Sequence, residues 1–165
     1  MKLHCGAIIT RIPNIRVTEA QRVYWDKWIE ALESGKFKKA TWALHEGDAF
    51  CPLGLACNVI DPKGWTLSKG AHAYSFRPSG AEPGAEGTKD YLIPWVRKFY
   101  GEELGPLGFH VGGRFPDGKG TTLELTACAL AGISDSLDAS FEEIAKIIRL
   151  ALGGGYTYSV SSVED

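Results

Sequence analysis

The sequence is short of several things, and each shortage narrows its reading. No stretch approaches the roughly 18 consecutive apolar residues of a membrane-crossing helix, so no membrane role is expected. Neither sign of charge dominates: 18 lysines and arginines stand against 20 aspartates and glutamates, a formal net charge of -2. The chain as a whole therefore has no electrostatic drive toward nucleic acid or an anionic surface, although a local basic patch stays open. There is no disulfide framework. The four cysteines, Cys5, Cys51, Cys57 and Cys128, are scattered. Six positions apart on one helix, Cys51 and Cys57 would stand about 9 Å apart along its axis, beyond the reach of a bridge. Free thiols are the expectation. The opening MKLHCGAIIT has too short an apolar run for a secretory signal, which predicts a soluble, intracellular protein. No internal repeat is present.

What the chain does have is a core. Apolar residues make up 44% of 165, enough for one ordinary domain spanning 1–165. Residues 3–17 are β-branched and broken by Pro13, which predicts a strand or extended arm. Thr18 and Gln21 have capping-box spacing, and Trp25, Trp28, Ile29 and Leu32 follow as one helical stripe up to Ser34-Gly35. A short helical turn is expected around Trp42 and Leu44. Pro52 suits a first helical position with Cys51 as N-cap, and Asp61-Pro62 should end that helix. Gly54 and Ala56 on it would admit a close backbone neighbour. Residues 64–78 read as strand-like, 79–89 and 101–120 as glycine-rich loops, and Pro94 to Gly101 as a short helix. Thr121 and Glu124 suggest a capped helix ending at Gly132. Ser140 and Glu143 cap a last helix with a stripe of Phe141, Ile144, Ala145, Ile148 and Leu152. The tail 156–165 is a strand or loose. The fold class expected is α+β: about five short helices on a small, mostly antiparallel sheet. Its strands come from the N-terminal segment and residues 65–78, with 109–111 and 156–160 as further candidates.

Chemistry-bearing residues each have a plainer explanation beside the sharper one. A cysteine at a helix N-terminus feels the helix dipole, which lowers its pKa. Cys51 with His45, His72 or His110 as base would then make a cysteine-dependent hydrolase. The residues after it, Pro-Leu-Gly-Leu, bury readily, and a packed cysteine explains the same pattern. The cysteines and histidines match no zinc spacing, and no cofactor is expected. GRFPDGKGTT, residues 113–122, nearly spells a phosphate loop. However, Pro116 removes an amide donor from the would-be cradle, which leaves Arg114 and Lys119 as a simple anion contact. ASFEEIAKIIRLAL resembles the opening helix of a helix-turn-helix, but no second helix follows at a short turn. Lys38, Lys39 and Trp42 form a set able to stack on a flat ligand, against the plain reading of a solvated lysine cluster.

Four blocks in order, WIEALESGKFKKATWAL, FCPLGLACNVI, YLIPWV and SFEEIAKII, resemble a widespread group of small bacteriophage proteins. That group has W-x-x-A-L-x-S-G-x-[FY], then an aromatic-Cys-x-L-G-x-x-Cys block, a Leu-Pro segment and S-F-x-E-I-A-x-x-I. The chain departs from it at Lys39, often Gln, and at Gly132-Ile133-Ser134-Asp135, often Leu-Asn-Asp. The resemblance implies a phage-encoded accessory protein acting in the host cytoplasm. The expected function is non-enzymatic binding of a host protein or a small nucleotide-like ligand, with Lys38, Lys39, Trp42, Arg114 and Lys119 as candidate contacts. The alternatives are the Cys51 hydrolase and a nucleic-acid-binding regulator.

Overall fold

The computed structural model describes residues 1–67, 69–81, 94–102, 104, 108–116, 119 and 121–157. The elements run β1 (Ile8–Ile12), α1 (Glu19–Glu33), β2 (Lys38–Lys39), β3 (His45–Glu46), β4 (Ala49–Phe50), α2 (Pro52–Ile60), β5 (Trp65–Thr66), β6 (Ser75–Phe76), α3 (Pro94–Tyr100), β7 (His110–Pro116), β8 (Thr122–Ala129), α4 (Leu130–Ser136), α5 (Phe141–Leu152) and β9 (Tyr156–Thr157). The fold is α+β, as expected, with five helices and mostly antiparallel pairing among the described residues.

Helix α1 organises the core. Its capping box is complete: Thr18 Oγ1 accepts from the Gln21 N–H at 3.2 Å and the Gln21 side chain accepts from the Thr18 N–H at 3.0 Å. The stripe Trp25, Trp28, Ile29 and Leu32 is buried. Both indoles donate into neighbouring helices, Trp25 to the Tyr100 carbonyl and Trp28 to the Pro52 carbonyl, each at 2.8 Å. The Tyr100 hydroxyl donates to the Ala56 carbonyl at 2.7 Å. Burying a ring with its polar tip satisfied keeps the apolar gain without an orphaned donor. These three bonds tie α1, α2 and α3 together. Helix α5 carries its expected capping box of Ser140 and Glu143. Its stripe is buried at Phe141, Ile144, Ala145 and Ile148 and partly buried at Leu152.

The main sheet has the order β8-β7-β1-β9, antiparallel throughout. Two smaller sheets stand apart: β2-β4-β3, in which β2 and β4 run parallel, and the β5-β6 pair. Residues 65–78 thus form their own two-stranded pair rather than part of the main sheet.

Three expectations are corrected. The capped helix over 121–132 is not formed. Thr122–Ala129 is a strand registered on β7, with Gly113 opposite Leu125 and Phe115 opposite Leu123, and helix α4 begins only at Leu130. Its alanines favour helix, but pairing with β7 overrides that local preference. The loop 101–120 is not all loop, since β7 takes 110–116. Residues 41–44 form no helical turn. Residues 82–89 of the loop expected over 79–89, and the tail beyond 157, lie outside the described residues.

Candidate interaction surface around Trp42

Residues 40–44 form an arch whose feet are fixed by backbone bonds. The Ala40 N–H donates to the Phe50 carbonyl at 2.8 Å, and the Cys51 N–H donates to the Leu44 carbonyl at 3.0 Å. Leu44 is fully buried and its backbone lies against α2 so closely that a Cβ at Gly54 would sit 1.8 Å from the Leu44 oxygen. The close approach expected at Gly54 is therefore real, and the arch is its cause. Ala40, Ala43 and Leu44 turn inward. Trp42 at the crest turns outward, 70% exposed, with φ 62. Its N–H donates to Asp135 Oδ1 at 3.3 Å.

Next to it, Lys39 Nζ donates to Asp138 Oδ1 at 2.8 Å and to the Ala139 carbonyl at 2.9 Å. The lysine side chain is 20% exposed and the aspartate 84%. Asp138 has φ 50. Trp42 and Asp138 are the two non-glycine residues with positive φ among the described residues, and both stand on this seam between the arch and the α4–α5 connection. A left-handed backbone costs about 1–2 kcal/mol per non-glycine residue, and such cost concentrates where a side chain is presented for use. The Lys39 ammonium, by its hydrogen bond and then its charge, holds the Asp138 carboxyl below its usual range. Lys38 and Asp48 make a second, exposed pair at 2.8 Å. Each favours the other's charged form, first through that hydrogen bond.

A groove of about 350 Å³ opens beside the seam. Leu32, Phe37 and Phe141 give it apolar walls, and His4, Lys39 and Glu142 a polar rim. His4 is held by Glu143, its Nδ1 2.5 Å from Oε1 and its backbone N–H donating to Oε2 at 2.8 Å.

Of the predicted contacts, Lys38 and Lys39 are successive residues of β2 whose ammonium groups pair with different carboxylates, Asp48 and Asp138, and Trp42 follows them at the crest of the arch. Arg114 and Lys119 belong elsewhere. Arg114 lies within β7, opposite Ile8 and Glu124, and Lys119 lies in the connection to β8. The phosphate-loop reading fails on the backbone: residues 113–116 are extended strand and a strand follows, so no helix N-terminus faces an anion. Gly113 has another reason to be glycine. A Cβ there would stand 2.2 Å from the Ile8 oxygen of β1.

The hydrolase alternative also fails on geometry. Cys51 caps α2, its Sγ accepting from the Gly54 N–H at 3.3 Å. It is 1% exposed, and burial pushes its pKa up to about 12. The dipole effect is outweighed by desolvation, and the thiol stays protonated. The His45 ring is packed between Phe50 and Tyr74, with ring centroids 4.0 and 4.2 Å away, and against the edge of Trp65. Burial lowers its pKa, with the Gly47 backbone and the Asp48 carboxylate pulling weakly the other way. His72 is exposed in the turn between β5 and β6, and His110 is exposed at the start of β7. Among the described residues no group of three or more His, Cys, Asp or Glu side chains is placed to hold a metal, and no helix is long and apolar enough to cross a membrane.

The sequence reading missed Asp135 and Asp138, which position Trp42 and Lys39. A family model described as a domain of unknown function, DUF8296, matches residues 20–87. The match carries α1, the arch, α2 and the β5–β6 pair, and so includes Trp42 and both lysines. Asp135, in α4, and Asp138, in the α4–α5 connection, lie outside it. No curated protein and no solved structure is matched by the chain.

Proposed function

We propose that this is a phage-encoded, non-enzymatic accessory protein that binds a host protein in the host cytoplasm, with Trp42 as its anchor. The observation that carries the reading is the presentation of Trp42: an indole in solvent on a left-handed backbone, braced by Asp135 from a distant part of the chain. Tryptophan is among the side chains that dominate binding energy at protein interfaces. A convex, protruding ring suits a partner that supplies the pocket, whereas small ligands are taken into concave sites.

The nucleotide-like ligand is the weaker of the two expected partners. Lys38 and Lys39 would have to supply its counter-charge, and both are engaged by carboxylates. The phage origin and the host setting rest on the ordered four-block resemblance. Absence of catalysis is supported by the buried, protonated Cys51 and the stacked His45.

The test is a photo-crosslinking residue at position 42, expressed in bacterial cells. One discrete host polypeptide should be captured, and capture should be lost when the arch is distorted by Gly54→Val. Adducts spread over many proteins, or none, would sink the host-protein reading.

A further inference from the structure

The β5–β6 pair is attached to the rest of the fold at two places of different character. Its root is packed and bonded. Phe76 is fully buried, the Arg77 N–H donates to the Gly64 carbonyl at 2.8 Å, and the Trp65 indole donates to the Asn58 side chain of α2 at 3.1 Å. Its outer attachment runs along β3. There the Tyr74 N–H donates to the His45 carbonyl at 2.9 Å, and Ala73 bridges Glu46. The His45 ring fills the seam, nearly parallel to Phe50 on one face and to Tyr74 on the other, with interplanar angles of 17° and 15°. Trp65 meets it at 76°. Phe50 belongs to β4 and Tyr74 leads into β6, so one imidazole joins the two small sheets.

A neutral imidazole suits that slot and a charged one does not. Its Nδ1 is buried and makes no hydrogen bond. The protonated ring is a donor at both nitrogens, and a buried donor without a formed bond costs the fold its desolvation. The charged neighbours do little to offset this. Asp48, at the turn before β4, favours the imidazolium, as does the Gly47 backbone, but burial outweighs both. Asp48 is itself exposed and paired with Lys38 at 2.8 Å. Glu46, next on β3, is exposed. Strands β4 and β5 carry no ionisable side chain, and the approach to β6 brings the Tyr74 hydroxyl and the exposed His72. We infer that this seam is an acid-opened clasp: on protonation of His45, residues 73–74 lift from β3 and uncover the faces of Phe50 and Tyr74, while the β5–β6 pair stays rooted at Phe76. The clasp does not use Trp42, so it stands or falls apart from the host-protein reading.

Amide hydrogen exchange of the full chain tests it, read by NMR at pH 7 and pH 5 and corrected for the intrinsic pH dependence of exchange. The Tyr74 amide reports the clasp, the Arg77 amide the root and the Trp28 amide the core. Tyr74 should be less protected than Arg77 and Trp28 at both pH values, the mark of a local opening. Its protection should fall severalfold from pH 7 to pH 5, up to the roughly 25-fold that one proton on a group of ordinary pKa 6.5 allows. His45→Phe keeps a ring in the slot and should abolish that fall, whereas His72→Gln should leave it as in the parent. The parent alone gives a check that needs no variant: the imidazole shifts of His45 should titrate together with the loss of Tyr74 protection. Tyr74 protection that matches Trp28 at both pH values, or that persists while His45 titrates, overturns the inference; in the second case the Phe50 and Tyr74 faces hold the imidazolium. A fall that survives in His45→Phe, or that vanishes in His72→Gln, overturns it as well.

Discussion

Trp42 holds a left-handed backbone that costs about 1–2 kcal/mol while its ring stays in solvent, so the fold gains little from it. Trp42→Asn should leave stability unchanged or raise it by up to about 1 kcal/mol, read as the midpoint of chemical denaturation. A clear loss would mean that the ring packs on the fold. His45 behaves oppositely. Its pKa lies below the ordinary 6.5 because its ring is half-buried among Phe50, Tyr74 and Trp65. The unfolded chain therefore takes up the proton first. The stability this residue contributes is complete above about 6.5 and falls as pH drops from there toward the folded value. Denaturation at pH 7 and pH 5 should show a smaller loss in His45→Phe than in the parent. Equal losses would assign the acid sensitivity to the carboxylates instead.

The elements differ in how much the sequence disclosed of them. Helices α1, α2 and α5 were legible because their caps are local chemistry: Thr18 with Gln21, Cys51 before Pro52, and Ser140 with Glu143. Strand β8 was not, because its small residues satisfy a helix as easily as a strand until β7 is beside it. The alternation of Thr122, Glu124 and Thr126 was the available signal. The arch was hidden for a related reason. Nothing local to 40–44 demands its shape, which is imposed by bonds from Phe50 and Cys51 and by the bare face of Gly54. Half of the candidate site could be read directly, as Lys38, Lys39 and Trp42. The other half, Asp135 and Asp138, is brought in only by folding. The tight contact predicts that Gly54→Val destabilises more than Cys51→Ser. Overpacking costs about 1–3 kcal/mol or more, against loss of one weak cap, and thermal melts of the two variants would show the order. Trp28→Ala should cost roughly 3–5 kcal/mol, since it empties the centre of the α1–α2–α3 contact. A near-zero change in denaturation would contradict that packing.

At the scale of the whole molecule, residues 112–116 of the glycine-rich sequence serve the sheet. Gly113 lets β7 lie against β1, and Arg114 to Pro116 continue as strand. Calorimetry with ATP or GTP and magnesium should therefore show no binding. A micromolar signal abolished by Lys119→Ala would overturn that assignment. Weak, salt-sensitive binding of several anions would instead identify a surface contact at Arg114 and Lys119.

The register of β1 has a consequence in time. Its partners distant in sequence are residues 112–114 and 156–157, while Lys2 bridges Ile8 close by in the chain. At a synthesis rate of about 5–20 residues per second, a nascent chain carries β1 without its strand partners, bonded only to residues 1–2, for roughly 5–20 s before β7 leaves the ribosome. Contacts so remote in sequence close late and slowly, and a strand with an open edge is a template for misassociation. For that interval the solubility of the nascent protein depends on the helices that follow β1.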